Sequence, residues 1–207
     1  KLARFVAVEC EGRGGCRTEY VSALLDAIVA AELIPKVHTT GADSAGVEAA
    51  IRNRAVTVEG LIAVTPTCAN AVAKSSAIGV LLAADSLASD PPPAVGRKLV
   101  DAGAAVALGS GLHNERGSTY NMQTVIALAC SRFKMTAAEA ISAATINAAH
   151  ATGTAATAGS LQFGKDADIL ILSISDYREM SYYFGVNQVH LGLKRGQPVF
   201  HDAAVTV

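Results

Sequence analysis

Tryptophan is absent from the 207 residues, and the aromatic content is limited to five tyrosines and five phenylalanines. A core must therefore be built from aliphatic side chains. At 51% hydrophobic and 17% charged content, the chain is long enough for one sizeable core, or a core with a small appendage, and is expected to be folded and soluble. Cysteine is scarce as well. Cys10, Cys16, Cys68 and Cys130 form no Cys-x-x-Cys pair, which excludes a disulfide framework and the usual zinc or redox pair. They read as reduced or buried thiols, Cys68 and Cys130 as small core residues within helices. An excess of either charge is also missing, since 17 basic residues face 18 acidic ones. With no basic block interleaved with aromatics, nucleic acid and anionic membrane surfaces are poor partners. No apolar run approaches the ~20 residues that cross a bilayer. The chain opens at Lys1 and not at methionine, which reads as a processed leader or a preceding segment. The compartment stays open, an organellar complex included.

What the chain does have is alternation. Short apolar runs at Phe5 to Val8, Lys36 to Thr39, Leu61 to Val64, Ile78 to Leu82 and Ala104 to Leu108 are separated by amphipathic stretches, the pattern of β-α units around a parallel sheet. The stretches expected as helices are Thr18 to Glu32, Ala45 to Asn53, Thr67 to Ser75, Ala94 to Ala102 and Tyr120 to Arg132. Thr136 followed by Glu139 is a capping box opening a helix expected to run to about His150. From Gly159 the text turns strand-like, with expected strands at Asp168 to Leu172, Val189 to Lys194 and Pro198 to Phe200. The expected division is a β/α unit over 1–158 and a β segment over 159–207.

Several phrases resemble a known family. Lys98 to Gly103, Val106 to Ser110, Met122-Gln123, Leu128-Ala129-Cys130, Met135 to Ala140 and Ala144 to Ala149 are similar to the imidazolonepropionases, amidohydrolases that open the imidazolone ring in histidine breakdown. Gly159 to Asp168 resembles the return of amidohydrolases in general to their small β domain. Asp176 to Met180 with Tyr182 to Asn187 resembles the imidazolonepropionase version of the segment that follows. The likeness is looser over 1–97, through Val8-Glu9-Cys10-Glu11 and Lys36-Val37-His38. It implies a partial (β/α)8 TIM barrel covering about strands four to eight, with the C-terminal part of a small β domain.

The resemblance also implies a metal centre in which a His-x-His pair, a fifth-strand His, often a sixth-strand His and an eighth-strand Asp lower the pKa of a bound water. His38 falls at the fifth-strand position, but the acid that should follow it is replaced at Gly41. Glu59-Gly60 stands where Asp-His is expected, and Gly109-Ser110-Gly111 ends without the eighth-strand Asp. Only one ligand position, His38, is retained, and a single histidine near a strand end is more often structural. His113 and Glu115 follow Gly111 too far along a loop to aim at a barrel axis. No zinc or iron is therefore expected, and catalytic residues are read as lost at Gly41, Gly60 and Gly111.

Other candidates are weaker. Glu11 to Gly15 is glycine-rich but lacks the spacing of a phosphate loop and reads as a β-α loop, although Arg13 and Arg17 suit a partner's carboxylate. Ser110, Ser118 and His113 lack a nucleophile elbow. In the family that the chain resembles, the segment with Tyr177, Tyr182, Tyr183 and Phe184 packs between barrel and β domain, so core packing is expected, with a partner-facing surface as the alternative. Three functions follow as expectations. The first is a non-catalytic subunit of a larger protein assembly, in which a partner covers the open half-barrel. The second is a hydrolase of cyclic amides completed by another chain, with zinc or iron. The third is a metal-free binder of a small carboxylate through Arg116 and Ser118.

Overall fold

The computed structural model describes residues 2–10, 15–39, 45–88, 94–112 and 119–202. A five-stranded sheet has the order β1-β2-β3-β4-β5, comprising β1 (Phe5–Cys10), β2 (Ile34–Thr39), β3 (Thr57–Glu59), β4 (Ile78–Leu82) and β5 (Val106–Gly109), with every pair parallel. Helices α1 (Thr18–Ala30), α2 (Ala45–Arg52), α3 (Pro66–Ala73) and α4 (Val95–Asp101) make the crossovers, as parallel pairing requires. A second, antiparallel sheet contains β6 (Ile169–Leu172), β7 (Val189–Lys194) and β8 (Gln197–His201). The expected alternation of β and α elements, followed by a small β appendage, is observed.

Side-chain alternation gives the large sheet two unlike faces. Val8 and Cys10, Val37 and Thr39, Val58, Leu81, Val106 and Leu108 are buried against the helices. The other face carries Phe5 and Glu9, Lys36 and His38, Thr57 and Glu59, then Ile78, Val80 and Ala107. Its apolar part is covered by α7 (Ile146–Ala151), whose Ala148 and Ala151 pack on Ile78, Val80 and Ala107. This helix lies at the N-terminal ends of the strands. The Asn147 side chain donates to the Val106 carbonyl at 2.8 Å, and Arg4, just before β1, donates to the Gly153 carbonyl at 3.3 Å.

Two elements differ from expectation. The third strand is Thr57–Glu59 and not Leu61 to Val64. Gly60 turns the chain with φ +76°, and the apolar run beyond it drops Leu61 and Val64 into the helix-side core as a loop. The helix expected from Thr136 to His150 is two, α6 (Ala137–Ala144) and α7. Thr145, at φ −119° and ψ −92°, breaks the path and turns α7 under the sheet. The capping box is present: the Thr136 hydroxyl accepts from Glu139 N–H at 3.3 Å, and Glu139 accepts from Thr136 N–H at 2.8 Å.

The aromatic cluster is a correction. Tyr182 is 80% exposed, and Tyr177, Tyr183 and Phe184 are also exposed. They flank a single turn, α8 (Glu179–Tyr182), which rests on the core through Met180 and leaves the rings outside. Tyr182 and Tyr183 stack edge to face, with centroids 5.2 Å apart.

Candidate functional site

Parallel β/α sheets place chemistry at the C-terminal ends of their strands. Here those ends bring Glu9, His38 and Glu59 side by side, because His38 is in register with Glu9 on β1 and Glu59 on β3. All three lie on the face away from the outer helices. Glu59 is already engaged. Its carboxylate accepts from Lys36 Nζ at 3.0 Å and from the Thr57 hydroxyl at 2.7 Å, and the Lys36 ammonium also sits 4.9 Å from the centre of the Phe5 ring. This internal network takes up one of the two carboxylates in register with His38.

The imidazole of His38 has its own seat. A Cβ on Gly60 would fall 2.4 Å from His38 Cε1 and 2.5 Å from Nε2. The ring therefore fills the space into which a side chain at position 60 would project, and glycine is required both for that approach and for the positive φ. At the far side of the sheet Gly111 has φ +66°, and a Cβ there would meet Leu82 Cβ at 3.3 Å and Asp85 Oδ1 at 3.6 Å. Leu82 also leans on Gly109, whose Cβ would lie 2.9 Å from Leu82 Cδ2.

Asp85 was not singled out in the sequence. It lies on the 3-10 turn Ala83–Ala88 directly after β4 and is only 9% exposed. Its carboxylate therefore stands beside Gly111, the position at which the family resemblance implies an eighth-strand acid. The available signal was an acidic residue within three positions of a fully apolar strand, a place where a charge is seldom buried without a purpose.

A metal finds little here. Among the described residues no group of three or more His, Cys, Asp or Glu side chains is placed to hold an ion. Divalent zinc in such sites takes three or four protein ligands, whereas the described ligand positions offer one imidazole packed on a glycine and two glycines. Among the described residues, these positions alone do not make up a zinc ligand set. Gly41, His113, Glu115, Arg116 and Ser118, together with Glu11 to Gly14, lie outside the described residues. Arg17 pairs with Glu19 at 3.5 Å on the surface.

Elsewhere the ion pairs are structural. Arg97 on α4 donates to both oxygens of Glu139 on α6, at 3.0 and 3.1 Å, and these hydrogen bonds hold the Glu139 carboxyl below its ordinary value. Arg178 holds the Asp176 carboxyl down to about 2. Burial raises the Cys130 thiol.

A sequence profile described as the amidohydrolase family matches residues 20–199. This chain belongs to the amidohydrolase family. It is 36% identical over 207 residues to the imidazolonepropionase of Geobacillus kaustophilus, covering 100% of this chain and 49% of that protein. It is 34% identical over 196 residues to that of Bacteroides fragilis, covering 94% and 47%. The amidohydrolase chain thus spans about half the length of the curated relatives it matches. Among solved structures, neighbours include the A. niger ochratoxinase, with a TM-score of 0.77 at 20% identity over 96% of this chain and 51% of that one. An adenosine deaminase from Xanthomonas campestris with bound zinc gives 0.71 at 19% identity, over 96% and 52%. These likenesses establish the fold, a partial amidohydrolase barrel with a small antiparallel sheet.

Proposed function

We propose that this imidazolonepropionase-like amidohydrolase chain is non-catalytic and serves as a structural component of a larger assembly. The observation that carries the reading is the seat of His38 on Gly60, where the retained ligand fills the space a sixth-strand ligand would need. Glu59 adds to it, since its carboxylate is neutralised by Lys36 and not turned toward an ion. A lone imidazole holds divalent metal too weakly to compete with water and buffer.

The structural role is supported by the two sheet edges. Beside β1 runs a groove of about 500 Å³ lined by Val6, Val8, Leu24, Ala27, Ile28 and Leu33. Beside β5 a second, of about 310 Å³, is lined by Val100, Val106, Met135 and Ala138. Strand edges flanked by apolar side chains favour pairing with further β/α structure. The partner in this reading is a protein that continues the sheet and covers those grooves.

A second reading has one observation in its favour. Identity to imidazolonepropionases extends over the whole chain, which suits a hydrolase acting on a cyclic amide C–N bond, completed by further structure. Zinc titration of the purified protein, followed by calorimetry and metal analysis after desalting, separates the two. The non-catalytic reading expects well under one equivalent retained, unchanged in His38→Ala. One equivalent that disappears in His38→Ala supports the hydrolase.

A further inference from the structure

We propose that Cys10 and Cys16 are a disulfide-forming pair, a modification site at the C-terminal end of β1. The two residues are partners in a parallel β-bridge, with Cys16 N–H donating to the Glu9 carbonyl at 2.8 Å. Adjacent strands lie about 4.8 Å apart, inside the roughly 4.4–6.8 Å range of Cα separations that a disulfide spans. Residues matched across a parallel bridge direct their side chains to the same face of the sheet. The packing agrees with that rule. Cys10 is fully buried among the helix-side residues, within reach of Gly46 on α2, and Cys16 packs against the same cluster.

The two thiols differ in access, as an oxidisable pair needs. Cys10 is buried, whereas Cys16 is only partly covered and lines the groove beside β1. With hydrogen peroxide as oxidant, the Cys16 thiolate attacks one peroxide oxygen. The O–O bond breaks, the sulfur becomes a sulfenic acid and water leaves. The Cys10 thiolate then attacks that sulfur, the S–O bond breaks and a second water departs. In sum, two thiols and one peroxide give one disulfide and two waters. Cys68 lies on α3 and Cys130 on α5 (Met122–Phe133), and among the described residues neither has a cysteine as a bridge partner. Closing the Cys10–Cys16 link would fix the chain at Cys16 against the β1 edge and set one wall of the groove that a partner would occupy.

The test is a peptide map of the whole protein after brief exposure to a small molar excess of peroxide, followed by acid quench, unfolding and alkylation. Arg13 lies between the two cysteines in sequence, so trypsin separates them into peptides 5–13 and 14–17. The proposal expects these two peptides joined and released by dithiothreitol, with Cys68 and Cys130 alkylated. In Cys16→Ser, which spares the buried position, Cys10 should be recovered alkylated. Recovery of both thiols in the oxidised wild type overturns the proposal. So does Cys16 joined to a second chain, or carried to a sulfinic acid while Cys10 stays reduced.

Discussion

The imidazole of His38 rests directly over the α-carbon of Gly60, so close that a single added methyl group would approach Cε1 to 2.4 Å. The two positions that the family resemblance implies as metal ligands are packed against each other. The contact makes a quantitative expectation. Gly60→Ala must bear both a left-handed backbone and the collision with His38, and should destabilise the protein by about 1–3 kcal/mol. In a His38→Ala background the collision is gone and only the backbone cost remains. Urea denaturation of the four proteins of this cycle should give a coupling of about 1 kcal/mol. Equal costs in both backgrounds would show that the ring does not occupy that space.

Acid should weaken the link between α4 and α6. The folded-state value of Glu139 is lowered, chiefly by its hydrogen bonds to Arg97. Its contribution is therefore fully present above the unfolded value near 4.5 and is lost as pH falls through the lower folded value. Glu139→Gln keeps a residue able to complete the capping box but removes the ion pair. It should cost about 0.5–1 kcal/mol at neutral pH, and the cost should shrink toward zero as pH falls through the lowered folded-state value. A cost that does not change with pH would assign the effect to packing.

The edges can be tested by charge. Leu24, 44% exposed in the groove beside β1, and Ala138, exposed beside β5, can each accept a charge without entering the core. Val106 cannot, being 2% exposed against the helices, so Val106→Asp would report on folding. Leu24→Lys and Ala138→Arg should reduce self-association or partner capture at least several-fold in sedimentation velocity, with unchanged thermal midpoints, while His38→Ala leaves association intact. A wild-type protein that stays monomeric at micromolar concentration, with no partner on either edge, would contradict the structural role.

Much of the architecture was legible because periodicity and caps act locally. The Thr136/Glu139 box, the β-α alternation and the change of pattern near Gly159 all depend on near neighbours in sequence. The third strand was misplaced because an apolar run looks like a strand from either side. Register with Lys36 and Ile78 decides that Thr57 begins it, and that register is a long-range fact. The break at Thr145 was hidden for a similar reason, since α7 turns to bury Ala148 and Ala151 on a sheet face that no local pattern describes. At the candidate site, the family resemblance singles out His38 as the retained ligand position and Gly60 and Gly111 as expected losses. That His38 packs on Gly60, and that the Asp85 carboxylate lies near Gly111, are three-dimensional facts with no counterpart in spacing.

Restoring the site by substitution meets the same geometry. Gly60→His and Gly111→Asp both place side chains on residues with positive φ, the first into the His38 ring and the second against Leu82. Combined with Gly41→Glu they should lower stability by several kcal/mol without creating activity, as judged by denaturation and by ultraviolet assay of imidazolonepropionate. Activity in the triple variant would mean that the loops relax enough to rebuild the site.

The most direct measurement of the central claim is turnover of imidazolonepropionate by the unmodified protein, in its native assembly, with and without a chelator. The non-catalytic reading expects a rate indistinguishable from the uncatalysed reaction, identical in His38→Ala and indifferent to chelation. Turnover that chelation removes, or that falls by more than about a hundredfold in His38→Ala, would contradict it.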